Sequence, residues 1–243
     1  MIKGLYKSAS AMIPRIRKQE TIANNLANVS SAGYKKDTIF TKELSRAEQK
    51  FTPRRTDWQT PMIDQVYTSF SQGSFDKTGN PLDLAIEGDG FFAFETANGD
   101  QLLSRAGNLT VSNDGFIVNV DGDRLLGDGG TINVGGGEVA ISETGIVQVD
   151  GAQVATVSVV DVDEKSTMMK VGNTGYVLPD GISPRAAANF VIKQGYLESS
   201  NVEIVNEMVD MITSYRNYEA DSKSIKAQDE SLEKLFANVG RVR

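Results

Sequence analysis

The residues best placed to do chemistry are carboxylates on a glycine-containing stretch, Asp83, Glu87 and Asp89 within Leu82-Asp83-Leu84-Ala85-Ile86-Glu87-Gly88-Asp89-Gly90. Two carboxylates at a suitable separation can cleave a glycosidic bond as acid and base or as acid and nucleophile. A glycan hydrolase or glycan-binding β domain is therefore the reading to weigh against a structural one. Asn119-Val120-Asp121-Gly122-Asp123 resembles part of an oxygen-ligand loop for calcium. The fixed acidic offsets ending in a bidentate glutamate are missing, and hairpin turns account for the same residues. Neither Gly88-x-Gly90 nor Gly135-Gly136-Gly137 leads into a helix as a phosphate-binding loop must. The chain has no histidine and no cysteine. That removes the usual general base, the commonest metal ligand, thiolate nucleophiles and disulfides. Carboxylates two apart on a glycine-rich turn are common, so the expectation is a non-enzyme with no catalytic, cofactor-binding or metal-binding residue.

The elements that carry these residues fall into three zones, and composition bounds them first. The 243 residues are 40% hydrophobic, enough for a core, and carry a formal charge of −7. That charge argues against nucleic acid, because phosphate contacts need a concentrated basic surface. The apolar runs fall far short of the roughly 20 residues that span a bilayer, so no membrane insertion is expected. Lys3, Lys7, Ser8 and Ser10 interrupt the N-terminus, which therefore lacks the apolar core of a cleaved secretory signal.

In the first zone Leu5, Ala9, Met12, Ile16, Ala23 and Leu26 follow an alternating spacing of four and three, with Gln19 at the one polar place. This is the pattern of a coiled-coil seam. Pro14 predicts a kink or a helix that starts near it, and Gly33 is a plausible terminator. Residues 34–80 show no sustained period and read as an extended linker with a few short strands. Residues 81–195 alternate short β-branched and aromatic runs with turn signals such as Asn98-Gly99-Asp100, Asn113-Asp114-Gly115 and Asp121-Gly122-Asp123, which predicts a compact antiparallel β domain.

The last zone opens on Ser200-x-x-Glu203, read as a capping box. Beyond it Ile204, Met208, Met211, Tyr215, Tyr218, Ile225, Leu232, Phe236 and Val239 keep the same alternation, with Ser222 and Asp229 as polar interruptions. These either fix register or face a channel. Such a helix is on the order of 55 Å long. The expected fold is α+β: paired N- and C-terminal coiled-coil-type helices, drawn from residues 1–33 and 196–243, with a central antiparallel β domain looped out between them. The apolar seam exceeds what one chain can cover, so its surplus is expected to meet other subunits.

The stretch Ile22-Ala23-Asn24-Asn25-Leu26-Ala27-Asn28-Val29-Ser30-Ser31-Ala32-Gly33-Tyr34-Lys35 closely resembles the signature of flagellar basal-body rod and hook proteins. The resemblance continues at residues 78–92, including Leu82, Asp83, Gly88, Gly90 and Phe91, and at Arg105-Ala106-Gly107-Asn108-Leu109-Thr110. It resumes at residues 194–202 and closes with Glu207-Met208-Val209 and Arg216-x-Tyr218-Glu219. The resemblance implies a structural subunit of the basal-body rod, exported by the flagellar type III apparatus without a cleaved signal and polymerised through its terminal helices in the periplasm. Implied partners are copies of itself, neighbouring rod subunits and, during secretion, the export gate, for which Phe40 and Leu44 match the family's phenylalanine-x-x-x-hydrophobic motif. Only 44 residues separate Gly33 from Thr78, with Gly73 their single glycine. Distal-rod relatives usually carry a longer, glycine-rich segment there, so the proximal-rod type is favoured, with a distal-rod or hook-type subunit as the alternative.

Overall fold

A computed structural model describes residues 2–44, 60–179 and 181–239; the side chains of 2–11, 40–44, 60–65, 238 and 239 lie outside the description. The fold is α+β, with one long helix near each end of the chain and antiparallel β structure between. Contacts divide the chain into two compact units.

The first unit is helical. Its members are α1 (Ile2–Ala27), a hairpin of β1 (Asp37–Leu44) and β2 (Thr60–Thr68), and α2 (Ile204–Val239). α1 runs from Ile2 past Pro14, which corrects the late start, one of the two outcomes expected there beside a kink. The helix ends at Ala27, so Gly33 does not terminate it. β1 and β2 pair antiparallel from Asp37 opposite Thr68 to Leu44 opposite Thr60, with a register shift between Phe40 and Thr41. Strands of this length stand where the sequence pattern suggested a linker with short ones. Without hydrophobic alternation or turn residues to mark it, this ladder rests on backbone pairing.

α2 begins at Ile204, and here too the sequence expectation needs correction. In a capping box Ser200 would accept from the amide of Glu203. Its hydroxyl instead accepts from the Val202 amide at 3.2 Å, while the Glu203 carbonyl accepts the Glu207 amide at 3.0 Å. The helix therefore starts after Glu203.

The second unit, the β body, comprises residues 28–36 and 69–202, less the undescribed residue 180. β3 (Phe75–Lys77), β4 (Leu84–Gly88), β5 (Phe91–Glu95) and β6 (Gln101–Ser104) open it. The largest sheet runs in the order Met169–Val171, Gly175–Val177, β6, β5, Arg124–Gly127, Ile117–Val118, Thr110–Val111. β4 pairs with Phe190–Gln194, and β3 with Tyr196–Glu198.

β5 shows why an unbroken apolar run suits this sheet. Successive side chains of a strand point to opposite faces, so Phe92 and Phe94 enter one core with Leu84, Ile86 and Leu125, while Phe91 and Ala93 enter another with Leu103 and Tyr176. Each buried phenylalanine stabilises the body by about 1.5–3 kcal/mol relative to an exposed one. The turn signals also find their places: Gly122 sits at φ +90°, and Asn119 and Asp123 close their hairpin through backbone and side-chain hydrogen bonds.

Candidate assembly face and buried ion cluster

Glu198 is the centre of a buried ion cluster in the β body. It lies on the strand Tyr196–Glu198 with no solvent exposure. One carboxylate oxygen accepts from Lys35 Nζ at 2.6 Å and from the Gly73 amide at 2.9 Å; the other accepts from Arg105 Nη1 at 3.3 Å. Lys35 also donates to the Ser71 carbonyl, and Arg105 to the carbonyls of Ile86 and Gly88, while its guanidinium sits 5.4 Å from the centre of the Phe91 ring. Burial lowers the Lys35 pKa from its ordinary 10.5 against the opposing pull of Glu198.

Glycines let the segments around this cluster approach. Gly33, at φ +68°, places its amide 2.7 Å from the Glu198 carbonyl, and a Cβ there would lie 2.3 Å from the Ala106 nitrogen. A Cβ on Gly107 would lie 1.8 Å from the Leu84 carbonyl oxygen. Asn201 receives the Lys36 amide at 2.7 Å and donates to the Ser69 and Ser71 carbonyls. Four of the stretches that carry the family resemblance thus meet in the β body, the first by its second half alone: 28–35, 78–92, 105–110 and 194–202. Tyr34 is buried there with the Lys170 ammonium 4.2 Å from its ring centre. Gly88 and Gly90 take φ of +99° and +115°, and Cβ atoms there would meet the Asn189 carbonyl oxygen at 2.5 Å and Val159 Cγ1 at 2.7 Å. Leu82 packs on the core at partial burial.

The three carboxylates weighed for catalysis are held separately. Asp83 is buried and accepts from Thr78 Oγ1 at 2.6 Å and Asn80 Nδ2 at 3.0 Å, closing the Asn80-Pro81-Leu82 turn. Glu87 pairs with Lys193 at 2.8 Å and Asp89 with Lys165 at 3.2 Å. Each is engaged by a different local partner, and the described residues contain no group of three or more acids that could hold a metal.

Within the helical unit α1 and α2 lie side by side and antiparallel, since Asn25 meets Glu207 while Arg15 meets Ser214 and Asp221. The buried or half-buried residues of α2 are Glu207, Met211, Ser214, Tyr218, Asp221, Ser222, Ile225, Gln228 and Leu232. Met211, Tyr218, Ile225 and Leu232 belong to the seam read from the sequence. The places between them do not: Glu207, Ser214, Asp221 and Gln228 turn inward where Met208, Tyr215, Ser222 and Asp229 were expected. Ser222 is itself half-buried, whereas Met208, Tyr215 and Asp229 are exposed, as are Ile204 and Phe236. On α1 Ile22 is buried and Ile16 and Ala23 are exposed, while Met12, Arg15, Gln19 and Leu26 are partly buried.

Polar contacts explain the shift. Asn25, 1% exposed, donates to Glu207 at 3.3 Å and to the Asp37 carbonyl at 2.9 Å, and accepts the Asp37 amide at 3.0 Å, which fastens the start of β1 to α1. Asn24 and Ala27 are exposed, and Asn28 is half-buried. Arg15 pairs with Asp221 at 2.8 Å. Outside the helix contact a groove of about 510 Å³ is lined by Gln19, Ala23, Met211, Ile212, Tyr215, Arg216 and Glu219. Val205, Met208, Val209, Ile212 and Tyr215, each more than half exposed, form an apolar stretch along the first third of α2. The side chains of Leu5, Ala9, Phe40, Leu44 and Val239 lie outside the described residues; the backbones of Phe40 and Leu44 belong to β1.

The family described as "Flagella basal body rod protein" matches residues 5–35. "Flagellar hook protein FlgE/F/G D1 domain" matches 85–179, and "Flagellar basal body rod FlgEFG protein C-terminal" matches 193–238. The chain is 32% identical to the flagellar basal-body rod protein FlgF of Caulobacter vibrioides over the full length of both. It is 31% identical to FlgG of Agrobacterium fabrum, over 94% of this chain and 96% of that one. It is 30% identical to FlgG of Bacillus subtilis, over 97% and 98%.

Proposed function

We propose that this chain, which belongs to the family of flagellar basal-body rod proteins, builds the rod by packing its terminal helices against those of neighbouring subunits. It is a structural subunit of the bacterial flagellar basal body. The observation that carries the assembly reading is the exposed apolar stretch from Val205 to Tyr215, because a solitary soluble chain rarely leaves a contiguous apolar face to water. Coiled-coil packing of α1 and α2 with neighbouring copies covers that face. The proximal-rod position fits the match to FlgF along the whole chain and the short, glycine-poor stretch between Gly33 and Thr78.

The subunit passes through the flagellar export apparatus unfolded, engaging the gate through Phe40 and Leu44, and joins the rod in the periplasm. That order of events suits strand β1, whose pairing hides the motif's backbone once the chain folds. The subunit needs no catalytic group, cofactor or metal for this role. Imaging basal bodies from a strain lacking the gene tests the reading: rods are missing or truncated at the proximal segment. Intact rods in that strain overturn it.

A further inference from the structure

α2 carries two stripes that could each have faced α1. One is polar and recurs every seven residues: Glu207, Ser214, Asp221 and Gln228. The other lies one residue on and is apolar in its first half, with Met208 and Tyr215. A helix in water ordinarily buries its apolar stripe and exposes the polar one. Here the polar stripe faces inward, and Met208 and Tyr215 are 51% and 60% exposed. On α1 Arg15 reaches Asp221 with its side chain about one-third exposed, and Ile16 is 40% exposed.

Buried polar groups are tolerated when their partners are supplied, and for Glu207, Ser214 and Asp221 the partners come from α1, while Gln228 donates to Ser224 on α2 itself. Asn25 meets Glu207, the Arg15 carbonyl receives the Ser214 hydroxyl at 3.5 Å, and the Arg15 guanidinium meets Asp221. Turning α2 by one residue would break all three and bring Met208 and Tyr215 into the seam. Those two side chains would then be buried within the subunit's own helix pair and lost from the face offered to another.

We propose that Asn25 and Arg15, acting on Glu207, Ser214 and Asp221, form a phase lock that holds the apolar stripe of α2 outward for a neighbouring copy of this chain. The proposal rests on the rod-subunit reading for its occupant and names the residues that keep the subunit from closing on itself. Polar seam residues fix register at a cost in stability, and here the same device fixes rotation. These are positioning residues, since their effect on assembly runs through the stripe they turn outward.

The absence of cysteine gives a clean test, because a single introduced thiol reports the exposure of its own position. In dilute protein Tyr215→Cys reacts with a maleimide roughly tenfold faster than Ser214→Cys. Equal rates overturn the lock. Adding Arg15→Glu and Asn25→Asp to each probe, which sets like charges against Asp221 and Glu207 while leaving the inner stripe of α2 as polar as before, lowers that ratio by about fivefold or more, and sedimentation velocity of the same double substitution without a probe shows weaker self-association. An unchanged ratio overturns the lock. If the double substitution loses helix content by circular dichroism, Arg15→Gln is read instead; it removes one ion pair and keeps the carbonyl acceptor, and an unchanged ratio there overturns the lock equally. A parent that never self-associates and never enters basal bodies strikes the rod-subunit reading, while the labelling ratio still decides the phase.

Discussion

At the scale of residues, Glu198 answers two buried cations with one carboxylate. Replacing it with glutamine leaves Lys35 and Arg105 facing each other without a counter-charge, and breaking a buried ion pair in this way costs about 3–5 kcal/mol. Urea unfolding of Glu198→Gln should show that loss; an unchanged midpoint would mean the cluster contributes nothing. Lys35 adds a pH signature. Its folded-state pKa lies below 10.5, so between the two values the unfolded chain holds more protons and stability rises with pH. Lys35→Met should abolish that rise, as the difference between the two unfolding curves below pH 10.5 would show. The sequence made Lys35 visible as a signature residue but left its partners hidden. Arg105 and Glu198 stand in other blocks, and pairing across such separations follows from the sheet, with no local spacing rule to reveal it.

At the scale of elements, the heptad rhythm of both helices was readable and its phase was not. Apolar content favoured Met208 and Tyr215 for the inner seam, but the choice is made by Asn25 and Arg15 on the other helix, which no window along α2 contains. Gly33 was likewise noticed for the wrong reason. Its positive φ serves a close approach to the backbone of Arg105 and Ala106, past the end of α1. Gly33→Ala should therefore cost about 2 kcal/mol or more, from the left-handed conformation together with the clash. A stability within a few tenths of the parent would contradict that geometry. Asn25→Ala removes the contacts to Asp37 and Glu207 and should cost about 1–3 kcal/mol, with amide exchange at the start of β1 accelerated. Unaltered exchange there would show that β1 is held by other means.

At the scale of the whole molecule, the account rests on an apolar face that one chain leaves uncovered in a family whose members build the flagellar rod. No described helix is long and apolar enough to cross a membrane, so that face is not explained by lipid within a spanning helix. The α+β architecture and the turn-punctuated β region could be read from residue patterning, and the family from the motif blocks. The hairpin of β1 and β2 could not, because its strands lack the alternation that betrays a half-buried sheet. The most direct test replaces Met208 and Ile212 together with glutamate, which puts two charges on the outward stripe without touching the β body or the polar seam. The account predicts a protein that keeps its helix content and is exported, yet is absent from purified basal bodies and fails to restore motility to a strain lacking the gene. Normal incorporation into basal bodies with full motility would contradict it.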